Sequence, residues 1–295
     1  MSRRGVKDTT RVGIVGGGQM GAGIAEVFVR AGCPVHLVER DPGCARDAAA
    51  RVRRSLDRAV GRHKITEPER DTAAALLSTG SDLGELADRS LVVEAVVEDE
   101  AVKTEVFATL DKIVEDPHAI LASNTSSIPV MRLAVATERA QQVLGLHFFN
   151  PAPVLDLVEV VPSLLTSVTT RDRAETLVTE VLGKQVVRAT DRAGFVVNAL
   201  LVPYLLAAIR MVESGVASAH DVDTGMRVGC AHPMGPLELA DLIGLDTVRS
   251  IAESLHTEFA ETQYAPPPLL CRMTDARLLG RKTGRGFHDY SQEAS

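Results

Sequence analysis

Cysteine is scarce in this chain of 295 residues: there are four, and no pair has CxxC spacing. Cys33, Cys44, Cys230 and Cys271 also lack a neighbouring cluster of ligands. They read as reduced thiols, and no metal site is expected. An excess of basic charge is missing too. The formal net charge is −7, which argues against nucleic acid or an anionic membrane as a general partner, because both need a basic face. The longest apolar stretch, residues 195–209, is interrupted by Asn198 and Pro203 and is too short for a membrane span. The opening residues MSRRGVKDTT contain no apolar signal region. A cytoplasmic protein is therefore expected. What remains is an ordinary globular composition, 45% hydrophobic and 24% charged, long enough for one large or two modest domains.

Residues 11–15 read as a short buried strand. Gly16-Gly17-Gly18-Gln19-Met20-Gly21 follows, and then a helical pattern through Ala31. This is G-x-G-x-x-G between a strand and a helix, the context that a dinucleotide fingerprint requires. Gly16 permits the tight turn, Gly18 the approach of a pyrophosphate, and Gly21 close packing of the helix on the sheet. Gln19 and Met20 begin a helix whose open N–H groups and dipole favour phosphate. A second strand, residues 34–38, ends at Glu39, about 20 residues beyond the glycines, where a carboxylate accepts from both adenosine ribose hydroxyls. Glu39 would repel a 2′-phosphate, so NAD is expected over NADP.

Strands and helices continue to alternate. Residues 91–97 read as an apolar strand broken by Glu94, residues 98–114 as a helix, and residues 119–122 as another strand. Such an order predicts a parallel, doubly wound sheet with its ligand at the C-terminal strand ends. Glu98 and the segment Ser123-Asn124-Thr125-Ser126-Ser127 both fall at such ends. The serines and asparagine there serve equally as an N-cap for a helix over 128–135 or as ligand contacts. The basic run in residues 46–64 reads chiefly as a solvated helix face, with an anionic ligand tail across it as the alternative.

Residues 146–161, LHFFNPAPVLDLVEVV, place His147 at the end of one apolar run and Glu159 inside another. An unpaired buried acid costs on the order of several kcal/mol, so Glu159 needs a partner. The nearest suitable group is an imidazole, and a His–Glu pair makes a general base near neutral pH.

From Gly194 onward strand patterns disappear. Helical spacing covers residues 194–213, 219–228 and 237–261, with Pro266-Pro267-Pro268 as a linker-like break. The expected division is 1–192 and 193–295, with the apolar helical part burying surplus surface in a dimer. Asn198 is a polar amide among valines and leucines. It is satisfied either by backbone or by facing an interdomain cleft.

The motifs VGIVGGGQMGAGIAEV, VVEAVVEDEAVK, LASNTSS, GLHFFNPAP with LVEVV, DRAGFVVNALL, HPMGPLELADLIGLD and KTGRGFHDY resemble those of the short-chain L-3-hydroxyacyl-CoA dehydrogenases, the bacterial 3-hydroxybutyryl-CoA type in particular. The resemblance runs from about Arg11 to Tyr290. It implies a Rossmann-type α/β N-terminal domain followed by an all-α substrate and dimerisation domain. It also implies NAD as cofactor and a short-chain (S)-3-hydroxyacyl-CoA as substrate; a free 3-hydroxy acid or sugar acid is the alternative. By the same resemblance His147 is the catalytic base and Glu159 its partner. Ser126, Asn150 and Asn198 surround the substrate and nicotinamide. Glu98 and Lys103, with Asn124 and Ser126, lie on the cofactor side. Ser55 and Arg62 fall where the family holds the CoA moiety, although lysine is frequent at the second position. Gly17 stands where alanine is common, and Glu39 where aspartate is common.

Overall fold

The computed structural model describes residues 10–291, so the reading of the N-terminal signal region lies almost wholly outside the described residues. One compact unit ends at Asp191 and a second begins at Arg192.

The first unit is built on one eight-stranded sheet of order β3-β2-β1-β4-β5-β6-β7-β8. In chain order its elements are β1 (Val12–Val15), α1 (Gln19–Arg30), β2 (Val35–Val38), α2 (Pro42–Gly61), α3 (Glu67–Ala75), β3 (Leu77–Gly80), β4 (Leu91–Glu94), α4 (Glu100–Ile113), β5 (Ile120–Ser123), α5 (Val130–Ala134), β6 (Val143–Phe148), β7 (Leu157–Pro162), α6 (Val168–Thr176) and β8 (Gln185–Arg188). Strands β1 to β6 pair in parallel, β7 runs antiparallel to β6, and β8 runs parallel to β7. The inner strands VGIV and VHLV are buried at every position, as a sheet covered on both faces requires. Helix α1 packs Ile24, Val27 and Phe28 into this core. Removing a fully buried ring such as Phe28 costs about 3–5 kcal/mol. Strand order reverses between β1 and β4, which makes their C-terminal ends the crevice for a dinucleotide. The Rossmann-type α/β fold expected for the first part of the chain is the one found.

The second unit is helical: α7 (Val197–Glu213), α8 (Ala219–Thr224), α9 (Pro236–Ile243), α10 (Leu245–Phe259) and α11 (Pro268–Asp275). Its own core contains Leu205, Leu206, Ile209, Leu237, Val248 and Leu255. Two buried acids staple it. Asp223 accepts from the N–H groups of Leu237 and Glu238 at 2.8 and 3.0 Å, which caps α9. Asp241 accepts from Phe287 N, His288 N and the Tyr290 hydroxyl, which ties down the FHDY segment. Burial pushes the Asp241 carboxyl above its ordinary value. Among the described residues, no helix is long and apolar enough to cross a membrane.

Several boundaries differ from the sequence reading. The stretch 237–261 is two helices, because Gly244 adopts φ +102°, which only glycine tolerates without strain. The triple proline is no linker, since Pro268 opens α11 from a first-turn position that needs no N–H. Strand β4 stops at Glu94 and does not reach Val97: the Glu94 carboxylate turns back to accept from Val96 N at 2.7 Å. The helix expected over 128–135 is the short α5, and no serine or asparagine caps it. Asp191 does so from far along the chain, accepting from Val130 N and Met131 N at 2.7 Å each.

Candidate active site

The glycine loop sits at the C-terminal end of β1. Gly16 turns the chain at φ +92°, and a Cβ on Gly21 would fall 1.8 Å from the Gly16 carbonyl oxygen. Gly17 is fixed by a different neighbour. A Cβ there would meet that of Ala48 at 2.3 Å, so a glycine at this position matches a close approach of α2. Gly18 is exposed, and a Cβ on it would touch nothing within 4 Å. It is also the N-cap of α1, and among the described residues no side chain caps that helix. Open space before uncapped N–H groups is what a pyrophosphate needs. Glu39, just past β2, accepts from Gly17 N at 2.7 Å and from Arg40 N at 3.1 Å. These residues fit a dinucleotide with its adenosine ribose at β2.

The basic helix α2 turns Arg46, Arg53, Arg54 and Arg58 outward, as a solvated face does. Arg51 is the exception: its guanidinium donates to the Gly17 carbonyl. Ser55 is half-buried on α2, and Arg62 is exposed at its C-cap.

At the ends of β4 and β5 lies a network of charges. Glu94 is 0% exposed and Lys103 is 1% exposed. Glu94 accepts from Lys103 Nζ at 2.6 Å, from Ser123 Oγ at 2.6 Å and from Val96 N. Parallel register sets Glu94 directly beside Ser123. Lys103, one turn into α4, reaches Glu98 at 3.1 Å as well. Glu98 accepts from the Thr125 hydroxyl, Ser126 N, Ser127 N and Ser127 Oγ. Burial works to raise the Glu98 carboxyl, but the Lys103 ammonium and the hydroxyls of Thr125 and Ser127 outweigh it and hold the group below its ordinary value. The SNTSS segment thus wraps a carboxylate. Asn124 accepts from Phe148 N at 2.8 Å, which ties the segment to β6. The Ser126 hydroxyl is half-exposed and has no hydrogen-bond partner among the described residues.

Antiparallel pairing of β6 with β7 puts His147 directly opposite Glu159. Twelve residues of separation become a cross-strand contact, with His147 Nδ1 donating to Glu159 Oε2 at 2.7 Å. Glu159 is 0% exposed and His147 is 6% exposed. A carboxylate at Nδ1 fixes the tautomer that leaves Nε2 with the lone pair. Phe149 packs edge-on against the imidazole at 4.6 Å. Asn150, one residue on, accepts from Gln19 Nε2 at 3.0 Å and so links this strand end to the first turn of α1. The glycine loop, Glu39, Glu98, Lys103, Asn124, Ser126, His147, Asn150 and Glu159 all belong to this one unit. Met20 is half-buried in α1. Asn198 is in the helical unit, 8% exposed on α7, and its amide makes no hydrogen bond among the described residues. Backbone satisfaction, one of its two sequence readings, is not what the side chain has. No group of three or more metal-ligating side chains occurs among the described residues.

Residues 11–192 match the NAD-binding domain of 3-hydroxyacyl-CoA dehydrogenase, and residues 194–290 match its C-terminal domain. The chain belongs to the 3-hydroxyacyl-CoA dehydrogenase family. It is an NAD-dependent oxidoreductase. A 3-hydroxybutyryl-CoA dehydrogenase of Mycobacterium tuberculosis is 59% identical over 280 residues, covering 95% of this chain and 98% of that protein. The mitochondrial hydroxyacyl-coenzyme A dehydrogenase of Homo sapiens is 42% identical over 289 residues, covering 95% of this chain and 90% of that one. The crystal structure of M. tuberculosis FadB2 superposes with a TM-score of 0.95 at 58% identity, over 96% of this chain and 99% of that chain.

For this dehydrogenase, Glu94 stands out in the sequence only as a break in a strand. The signal was the one that exposed Glu159, an acid in an apolar run. In sequence Ser123 and Thr125 are only members of SNTSS; strand register and loop folding bring them to Glu94 and Glu98, which spacing alone does not reveal.

Proposed function

We propose that this dehydrogenase interconverts short-chain (S)-3-hydroxyacyl-CoA and 3-oxoacyl-CoA, with His147 as general base. The observation that carries the reading is the buried cross-strand pair of His147 and Glu159, with Nδ1 held at 2.7 Å. His147 Nε2 takes the proton of the C3 hydroxyl, and in the reverse direction the imidazolium returns it to the developing alkoxide. Glu159 holds the tautomer and stabilises the imidazolium. NAD, when bound, accepts the hydride that leaves C3. The Ser126 hydroxyl, without a hydrogen-bond partner among the described residues, donates to the reacting oxygen. Asn150 and Asn198 serve the polar groups of the substrate. Gly16, Gly18, Gln19, Met20 and Gly21 take the pyrophosphate, Glu39 takes the adenosine ribose, and Glu98, Lys103 and Asn124 shape the nicotinamide side.

The substrate assignment draws on relatives named 3-hydroxybutyryl-CoA dehydrogenases, and in this reading Ser55 on α2 and Arg62 at its end hold the CoA moiety. In this reading residues 1–192 carry NAD and residues 193–295 carry substrate contacts and a homodimer interface. Exposed Leu200, Val216 and Val228 of the helical unit support self-association. The setting is cytoplasmic acyl-CoA metabolism of the fatty-acid type. The test is NADH oxidation with acetoacetyl-CoA against free acetoacetate. Turnover of the thioester alone is expected, and turnover of only the free acid would overturn the substrate assignment.

A further inference from the structure

The network at the ends of β4 and β5 does not balance its charges. Three donors converge on Glu94, namely Val96 N, Lys103 Nζ and Ser123 Oγ, which is the environment of a carboxylate and not of a carboxylic acid. Glu98 likewise receives only donors. Among the described residues, Lys103 is the one cation that both acids touch. Neighbouring charges do not correct the imbalance: Asp99 is used to cap α4, and Glu100 is paired with Arg132.

In a doubly wound sheet a dinucleotide lies across the switch point, one half on each side. With Glu39 at β2 taking the adenosine ribose, the nicotinamide half falls on the β4–β5 side. This step rests on the Glu39 assignment made above. The nicotinamide ring is cationic in NAD+ and neutral in NADH. A net negative charge beside it therefore discriminates between the two oxidation states; Glu94 and Lys103 are fully buried, and Glu98, with 30% of its side chain exposed, presents the remaining charge at the surface of the crevice.

We propose that the Glu94–Lys103–Glu98 triad is a specificity device for cofactor oxidation state, its net charge of minus one holding NAD+ in preference to NADH. By linkage the bound cofactor is biased toward its oxidised form. Glu159 acts in the opposite sense, since it stabilises the imidazolium that appears as the hydroxyl is oxidised.

The test is equilibrium titration of the full-length protein with NAD+ and, separately, with NADH. It compares wild type, Glu94→Gln and Glu98→Gln, with Glu105→Gln as a control on the exposed face of α4. Each variant of the triad removes one charge and keeps the shape. The expected result is that affinity for NAD+ falls relative to NADH by about fivefold or more in both triad variants. The control is expected to keep the wild-type ratio. Should Glu94→Gln not fold, Glu98→Gln decides, because Lys103 keeps its shorter contact to Glu94 there. A ratio within about twofold of wild type overturns the proposal. Parallel weakening of both nucleotides also overturns it, because that is what a purely structural network gives. Failure of the wild-type protein to bind either nucleotide would instead refute the dinucleotide site itself.

Discussion

Glu94 and Glu159 are both fully buried acids in apolar strands of one sheet, and each meets a polar side chain across the strand pair. Their surroundings differ in kind. Glu94 is saturated with donors, among them the ammonium of a buried lysine. Glu159 faces an imidazole, a group that can both take up and give back a proton. A carboxylate with a permanent counter-ion is a fixed electrostatic feature, suited to shaping a loop or biasing a bound charge. A carboxylate opposite a histidine can respond to a proton as it arrives. The buried acid is the same signal in both strands, and its partner decides what it does.

The comparison can be broken from either side. Removing the imidazole should have the largest effect: His147→Gln is expected to lower turnover about a thousandfold while NAD+ titration gives an affinity close to wild type. Activity within tenfold of wild type would end the base assignment. Ser126 touches the β4 side only through its backbone N–H to Glu98, at 3.0 Å, and offers its hydroxyl elsewhere. Ser126→Ala should cost about tenfold in kcat, and a change confined to the KM for NAD+ would move this residue to the cofactor half. Arg62 lies on neither side. Arg62→Ala should raise the KM for the CoA thioester about fivefold at constant kcat, an effect that fades at high salt. Loss of kcat instead would contradict a role in holding the CoA moiety.

Stability against pH sharpens the β4 half. Glu98 titrates below its ordinary 4.5 in the folded protein. A carboxyl held low stabilises the fold above that ordinary value and loses its contribution as pH falls through the folded value. Glu98→Gln should therefore melt about 2–4 °C below wild type at pH 7, and the gap should close below pH 4.5. A gap that stays constant with pH would mean that charge is not the reason. Asp241 has the opposite sign: its carboxyl is raised by burial, so its contribution is greatest at low pH and is lost as pH rises through its folded value.

Much of this was legible in the chain. Gly16, Gly18 and Gly21, with Glu39 after the second strand, specify a dinucleotide loop through local sterics and spacing, and the loop found has those constraints. The acid in LVEVV announced that it needed a partner, although only antiparallel register shows that His147 stands directly opposite. Other features depend on contacts distant in sequence. Asp191 caps α5 from sixty residues away, so the nearby serines gave a misleading N-cap. Strand β3, LSTG, is too polar to read as a strand and exists because β2 pairs with it. Helix α3 buries only Ala73, but its Thr66–Glu69 capping box was a local signal that periodicity passed over.

The central claim is that Glu159 acts on the proton-transfer step through His147. Single-turnover formation of NADH from 3-hydroxybutyryl-CoA, with enzyme saturated in NAD+, isolates that step from binding and release. The account predicts that Glu159→Gln slows this step at least about tenfold, or about 1.4 kcal/mol in the barrier, while its affinity for NAD+ stays within about twofold of wild type. A single-turnover rate equal to wild type would contradict it.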